Sequence, residues 1–251
     1  DLLVTASAGN HAQGVAYAAK KFGCKATVVM PTVTPLIKVN RTKSYGAEVV
    51  LHGDVYDDAC AKAYELAEEQ GLTFVHPFDD MDVILGQGTL ALEIIEELAD
   101  VDEILVPIGG GGLISGIAFA AKMLKPSIRI VGVEPEGACC MAESLAKNQV
   151  VELKKVDTMA DGVAVKRPGA LTFEMIKEFV DEVVTVSDFD IIEAILLLME
   201  KHKIVVEGAG ALSLAGLRKL ESKNKKVVCV VSGGNIDIST ISAIINRALV
   251  S

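Results

Sequence analysis

The chain has 251 residues, half of them apolar, with 4% aromatics and no Trp. Its core is therefore built from Val, Ile, Leu and Ala, the composition that buried parallel strands and their covering helices favour. A formal charge of −10 excludes a binder of the nucleic-acid backbone, because no continuous basic face is left to neutralise a polyanion. No run of about 18 or more uninterrupted apolar residues marks a membrane span. The expectation is a soluble, cytoplasmic protein whose partners are small molecules. Its five cysteines, Cys24, Cys60, Cys139, Cys140 and Cys229, form no C-x-x-C pair and read as reduced thiols.

In chain order, strand-like and helix-like segments alternate from the start. "LLVTA" is followed by a helical pattern from Asn10 to Phe22, and "KATVVM" by one from about Leu36 to Tyr45. "AEVVLHG", a helix from about Val55 to Gln70 and "TFVH" come next. Repeated strand, loop and helix without hairpin signals implies parallel strands joined by right-handed crossovers, an α/β fold. "HPFDDMD" (76 to 82) breaks the alternation, so a small domain over residues 1–80 and a larger one over 81–251 are expected. The pattern restarts with a helix from about Gly88 to Leu98, then "DEILVPI", a glycine run, a helix to about Lys125, "IRIVGVEPE" and a helix over "CCMAESLA". An irregular stretch from about Lys147 to Pro168 precedes "DEVVTVS" and helices over "IIEAILLLMEKHK" and "GALSLAGLRKL". The strand "KKVVCVVSGG" and a helix over "STISAIINRAL" close the chain. It opens at Asp1 and reaches its first strand at once, which suggests an N-terminal truncation.

The glycine run, "VPIGGGGLISG" (106 to 116), lies between a strand and a helix. Such a turn leaves backbone N–H groups uncovered at the positive end of the helix dipole, so an anion is the natural ligand. A dinucleotide fingerprint needs G-x-G-x-x-G, and only a G-x-G-x-x-x-G spacing through Gly110, Gly112 and Gly116 exists. A P-loop needs Lys and Ser/Thr after its last glycine, where Ile117 and Ala118 stand. Close packing of helix on strand would explain one glycine. Four in a row cost about 0.5–1 kcal/mol each relative to Ala in unfolded-chain entropy, which favours a phosphate cradle. Two more junctions share this character: "SAGN" at a helix start, and "VVCVVSGGN", where a buried strand is expected to end at Ser232 near the carboxyl edge of a sheet. Three small-residue junctions at strand ends point to one cleft.

Together these segments resemble the threonine/serine dehydratase family, pyridoxal-phosphate enzymes of fold type II that include serine racemases. The similarity spans nearly the whole chain: "TASAGNHAQGVA", "GQGTLALEI", "VPIGGGGLISG", "TMADGVAVKRPG", "VEGAGAL" and "VVSGGNID". It implies two open, mainly parallel twisted sheets covered by helices, as in the tryptophan synthase β-subunit. By this resemblance Gly109, Gly110, Gly111, Gly112 and Leu113 bind the cofactor phosphate, Asn10 its phenolic oxygen, and Ser232 meets its pyridine nitrogen. A hydroxyl there favours a neutral ring, whereas a carboxylate would keep the nitrogen protonated. Ser7, Ala8, Gly9, Asn10 and His11 would hold the substrate carboxylate, with His11 either a general base or a loop residue making backbone contacts. Racemases carry Ser where this chain has Ala8, which has no proton to give to the second face of the substrate. In relatives Glu134 and the carbonyl of Ala138 belong to a divalent or monovalent cation site. Cys140 stands where some relatives have Asp, and a thiol is a poor ligand for a hard ion. Glu207 is either beside the cofactor or a capping acid at a helix start.

The family's Schiff-base lysine sits in a Ser-x-Lys-x-Arg-Gly type motif that this sequence does not contain. Lys38 and Lys43 read as solvated helix residues. The resemblance therefore implies β-elimination of water from L-threonine or L-serine, giving a 2-oxo acid and ammonia, in a homo-oligomer (dimer or tetramer) acting in isoleucine biosynthesis or threonine catabolism. The present stretch alone is expected to be inactive. Two other readings stand beside it. One is an NAD-linked oxidoreductase, with Glu134 22 residues beyond Gly112 at near the ribose-binding distance. The other is a non-catalytic paralogue that lacks the lysine.

Overall fold

The computed structural model describes residues 2–248, with side chains in the last helix up to residue 246. Two compact units follow one another, one up to Val83 and the other from Ile84 onward.

The first unit carries strands β1 (Leu2–Ala6), β2 (Lys25–Met30), β3 (Glu48–Leu51) and β4 (Thr73–Phe74), and helices α1 (Asn10–Phe22), α2 (Leu36–Ser44) and α3 (Tyr56–Gln70). All its strand pairs are parallel, in the order β3-β2-β1-β4. Helix α1 forms because Ala12, Val15, Ala16 and Ala19 recur on one buried face. It stops at Gly23, whose positive φ of 71° suits glycine and whose amide caps the carbonyls of Ala19 and Lys20. That face packs on Ala26, Val28 and Met30 of β2.

The second unit begins within α4 (Met81–Glu97) and continues through β5 (Glu103–Pro107), α5 (Gly112–Leu124), β6 (Arg129–Pro135), α6 (Cys140–Lys147), α7 (Ala170–Phe179), β7 (Glu182–Val186), α8 (Asp188–Leu197), α9 (Gly208–Leu217), β8 (Val227–Cys229) and α10 (Ile238–Ala248). Its sheet is also parallel, in the order β7-β6-β5-β8. Every residue of β5 is buried. Ile104, Val106, Ile114, Ile117, Ile128 and Ile130 form the centre of its core. Each such side chain contributes roughly 1.5–3 kcal/mol on burial. Ser187 starts α8 with a reciprocal capping box to Asp190, and one turn of π-helix (Leu198–His202) follows α8.

Three features differ from the sequence reading. Helix α4 starts at Met81 rather than near Gly88, because the Asp80 carboxylate accepts the amides of Asp82 and Val83 and opens the helix. Helix α7 has no counterpart in the expected elements. The strand expected up to Ser232 and beyond ends at Cys229. In the parallel pattern the next bond would run from the N–H of residue 107 to the carbonyl of Val230. Residue 107 is proline and has no N–H, and that carbonyl instead accepts the Ser213 hydroxyl at 2.6 Å. Leu249, the last residue of the expected closing helix, lies outside the described residues.

Candidate active site

In an open parallel sheet ligands gather beyond the carboxyl ends of the strands, where the strand order reverses. In the second unit that point lies between β5 and β8, since the chain moves outward from β5 to β6 and β7 and then returns to the other side of β5. The loops that leave these two strands are the glycine run and "VVSGGN", so the sheet itself brings together two of the three expected junctions.

Gly110, Gly111 and Gly112 are buried, and Gly109 and Leu113 half-buried. Part of the glycine requirement is steric. Gly111 has a φ of +100°, and a Cβ there would lie 2.8 Å from Thr172 Cβ. A Cβ at Gly109 would lie 3.1 Å from Val163 Cα. The Gly110 carbonyl accepts the Thr172 hydroxyl at 2.6 Å and the Gly169 amide at 3.3 Å. Packing thus accounts for two of the four glycines.

The amides account for the rest. Among the described residues, no acceptor meets the backbone N–H groups of Gly109 to Leu113. Buried N–H groups are nearly always paired. A run of them at the start of a helix of 13 residues fits a phosphate, which brings negative charge and several acceptor oxygens to the positive end of the dipole.

Ser232 is exposed, three residues past the end of β8, and its hydroxyl has no partner among the described residues. Its loop is held against the start of α9. The Gly233 carbonyl accepts the Glu207 amide at 3.1 Å, the Glu207 carboxylate accepts the Asn235 amide at 3.1 Å, and a Cβ on Gly210 would lie 2.3 Å from the Gly233 carbonyl oxygen. Glu207 is the N-cap residue of α9, yet its side chain makes no capping bond to that helix. Its carboxylate is turned to the loop that carries Ser232.

The cation and dinucleotide readings of Glu134 meet a different geometry. Glu134 is fully buried, and its two oxygens accept the amides of Met141 (2.9 Å) and Ala142 (2.8 Å) at the start of α6. It caps a helix and has no free edge for a ribose hydroxyl, which corrects the dinucleotide reading. Burial pushes its carboxyl up to about 7, against the pull of the two amides. Ala138 closes a 3-10 turn beside it. Among the described residues no group of three or more His, Cys, Asp or Glu is placed to hold a metal ion. Cys140 is buried, and burial raises its thiol to about 12.

In the first unit the order reverses between β1 and β4. Ser7, Ala8, Gly9, Asn10 and His11 leave β1 at that point and start α1. Gly9 is the N-cap residue, and its amide donates to the Ser7 hydroxyl at 3.1 Å. The amides of His11 and Ala12 have no acceptor among the described residues. Asn10 is exposed and His11 half-buried. Burial lowers the His11 imidazole below its usual value, so the ring is neutral near pH 7.

Sequence reasoning missed Thr172 and Gly169, which grip the glycine loop from the start of α7. The signal was present in the Pro-Gly that precedes "ALTFEMIKEF" and in its buried Thr172, Phe173, Met175 and Ile176, which recur with helical spacing.

The family model for pyridoxal-phosphate dependent enzymes matches residues 1–233. The chain belongs to this family. It is 51% identical over 249 residues to an L-threonine ammonia-lyase of Thermotoga maritima, covering 99% of this chain and 62% of that protein. It is also similar in structure to the processed form of threonine deaminase isoform 2 from Solanum lycopersicum (TM-score 0.94, 42% identity, all of this chain and 70% of that one). For maize serine racemase the TM-score is 0.91 at 37% identity, over 98% of this chain and 77% of the other. The chain spans about 62% of the length of the curated relatives it matches first. Family membership agrees with the resemblance read from the motifs, and the two parallel sheets agree with the fold it implied. No helix among the described residues is long and apolar enough to cross a membrane.

Proposed function

We propose that the whole protein removes water from L-threonine, or from L-serine, to give a 2-oxo acid and ammonia. The observation that carries this reading is the row of unpaired amides from Gly109 to Leu113, at the reversal point of a chain about half identical to named threonine ammonia-lyases. The residues fit pyridoxal phosphate, which when bound supplies an electron sink at the substrate's α-carbon. Gly109, Gly110, Gly111, Gly112 and Leu113 hold the phosphate through their N–H groups. The Ser232 hydroxyl would meet the ring nitrogen and, unlike a carboxylate, would not keep it protonated. By the family resemblance Asn10 would bond the phenolic oxygen. Glu207 fixes the Ser232 loop through the Asn235 amide. Ser7 to His11 receive the substrate carboxylate at the start of α1, where the helix dipole favours an anion.

Ala8 favours elimination over racemisation, despite the likeness to a serine racemase, because a methyl group cannot deliver a proton to the substrate's second face. No lysine in this sequence lies in the family's cofactor-bonding motif, so these 251 residues alone do not turn over threonine. The same reading carries a cytoplasmic dimer or tetramer, which light scattering on the whole protein checks.

The test uses the protein expressed from its complete gene with added cofactor. Borohydride reduction followed by peptide mapping should place the label on a lysine outside these 251 residues, and 2-oxobutyrate should form from L-threonine. Label scattered over surface lysines such as Lys38 and Lys43, with no 2-oxo acid formed, would overturn the reading.

A further inference from the structure

The geometry points to His11 as the positioning residue of the substrate-carboxylate loop, acting as a side-chain clamp across the point where the strand order reverses in the first unit. This inference rests on the function proposed above.

The His11 Nε2 lies 3.0 Å from Thr5 Oγ1 and 3.1 Å from the carbonyl oxygen of Val75. A carbonyl only accepts, so Nε2 carries the proton. The Thr5 hydroxyl donates to the same carbonyl at 2.8 Å, which leaves its lone pairs to accept from Nε2–H. The three groups belong to β1, to the residue just past β4, and to the first turn of α1. Val75 is itself fixed, since its amide continues the ladder to the Val4 carbonyl at 2.8 Å. One imidazole therefore joins the first turn of the helix to both strands that flank the reversal.

The next corner is built in the same way. His76 Nδ1 accepts the amides of Phe78 (3.2 Å) and Asp79 (2.7 Å), so its lone pair is committed to that turn. His76 adds to the lowering of the His11 imidazole by charge repulsion; burial lowers His76 itself, and Asp79 and Asp80 raise it.

A clamp of this kind differs from a general base. The Nε2 that meets the protein already holds its proton and spends it on two acceptors, so only Nδ1 keeps a lone pair that could take up a substrate proton, and the variants below separate that role from the clamp. Its work is to hold Ser7 to Asn10, so that the amides of the first turn stay aimed at an anion. No glycine run does that here: a Cβ on Gly9 or Gly14 would meet nothing within 4 Å, so the loop is not wedged in place by packing at these positions.

The experiment uses the whole holoenzyme. His11→Leu removes the donor, His11→Gln restores an N–H donor at similar reach, and Thr5→Val removes one of the two acceptors. The expected result for His11→Leu is a KM for L-threonine raised by roughly tenfold with kcat changed by less than about threefold, the signature of lost binding that ground state and transition state share. His11→Gln should recover most of that loss, and Thr5→Val should fall between. The dissociation constant of glycine, an amino acid with no leaving group, read from the cofactor's absorbance, should rise in parallel. Loss of kcat in both His11 variants would identify a base and overturn the clamp. So would unchanged KM and glycine affinity in His11→Leu. If His11→Leu does not fold, His11→Gln and Thr5→Val carry the test. If the wild type leaves threonine untouched, the proposed reaction falls, and glycine binding by wild type and variants still reads the clamp.

Discussion

Both sheets place three strands in outward order and return the fourth beside the first, yet they hold the loops at their reversal points by different means. In the second unit the loop follows a strand buried along its whole length, and its backbone is gripped directly: Thr172 bonds Gly110, and Gly111 fits against Thr172 and Ile176 only because it lacks a Cβ. In the first unit the strand is exposed at its start, Gly9 has open space around it, and beyond the Ser7 amide's bond to the Val29 carbonyl the loop is held by side chains, chiefly Ser7, Thr5 and His11. A backbone-gripped loop tolerates almost no change of residue. A loop held by side chains can be loosened by degrees.

The largest expected effect is at Gly111. Gly111→Ala puts a Cβ into a left-handed residue and against Thr172, and should cost roughly 3 kcal/mol of stability together with cofactor affinity, read by denaturant titration and cofactor binding. Next is the ion cluster at the other edge of the same sheet. Glu103 is buried and bonds Arg129 and Lys225, while Arg129 also reaches Glu182. The second Glu103 oxygen and the Ser222 hydroxyl are both buried without a well-formed hydrogen bond. Burial alone would raise the Glu103 carboxyl, but Ser222, Lys225 and Arg129 bring it down to about 2. A depressed carboxylate stabilises above its unfolded value of 4.5 and loses that contribution as pH falls toward 2. Glu103→Gln should therefore cost roughly 2 kcal/mol at pH 7, and the deficit should close by about pH 2.

Glu134 carries the opposite sign. Its raised value means that the folded state loses stability relative to the unfolded one as pH rises from 4.5 through about 7. The stability lead of the wild type over Glu134→Gln should be larger at pH 5 than at pH 8, by roughly 2 kcal/mol. Thr172→Val, which removes the bond to Gly110, should cost roughly 1–2 kcal/mol. Smallest of all, Gly9→Ala should change stability by no more than about 0.5 kcal/mol. Destabilisation of Gly9→Ala to the level of Gly111→Ala, in a thermal melt, would erase the distinction between the two loops.

Much of this was legible from local pattern. The alternation of strand and helix, the limits of α1, and the place of the glycine run between β5 and α5 follow from periodicity and from the physics of a helix start. What escaped depends on partners distant in sequence. Gly86 and Gly88 hid the first turns of α4, and Gly88 is a glycine because its Cβ would lie 2.9 Å from the Gly116 carbonyl. The short β8 follows from Pro107 and Ser213, neither of which is visible in "KKVVCVVSGG". The amides of Met141 and Ala142 on Glu134 are likewise invisible in a linear motif, because only the fold brings them over it.

The pairing of β5 with β8 joins Glu103 to Val227, more than a hundred residues further along the chain. Neither sheet contains a hairpin that could zip locally, so that contact must wait until β6 and β7 and their crossovers have been laid down and the entropy of closing a long loop has been met. The crevice beside the glycine run is therefore among the last parts of its sheet to assemble during refolding. In a stopped-flow experiment, recovery of cofactor binding should lag behind recovery of helical signal, and a destabilised β8 should slow the first without delaying the second.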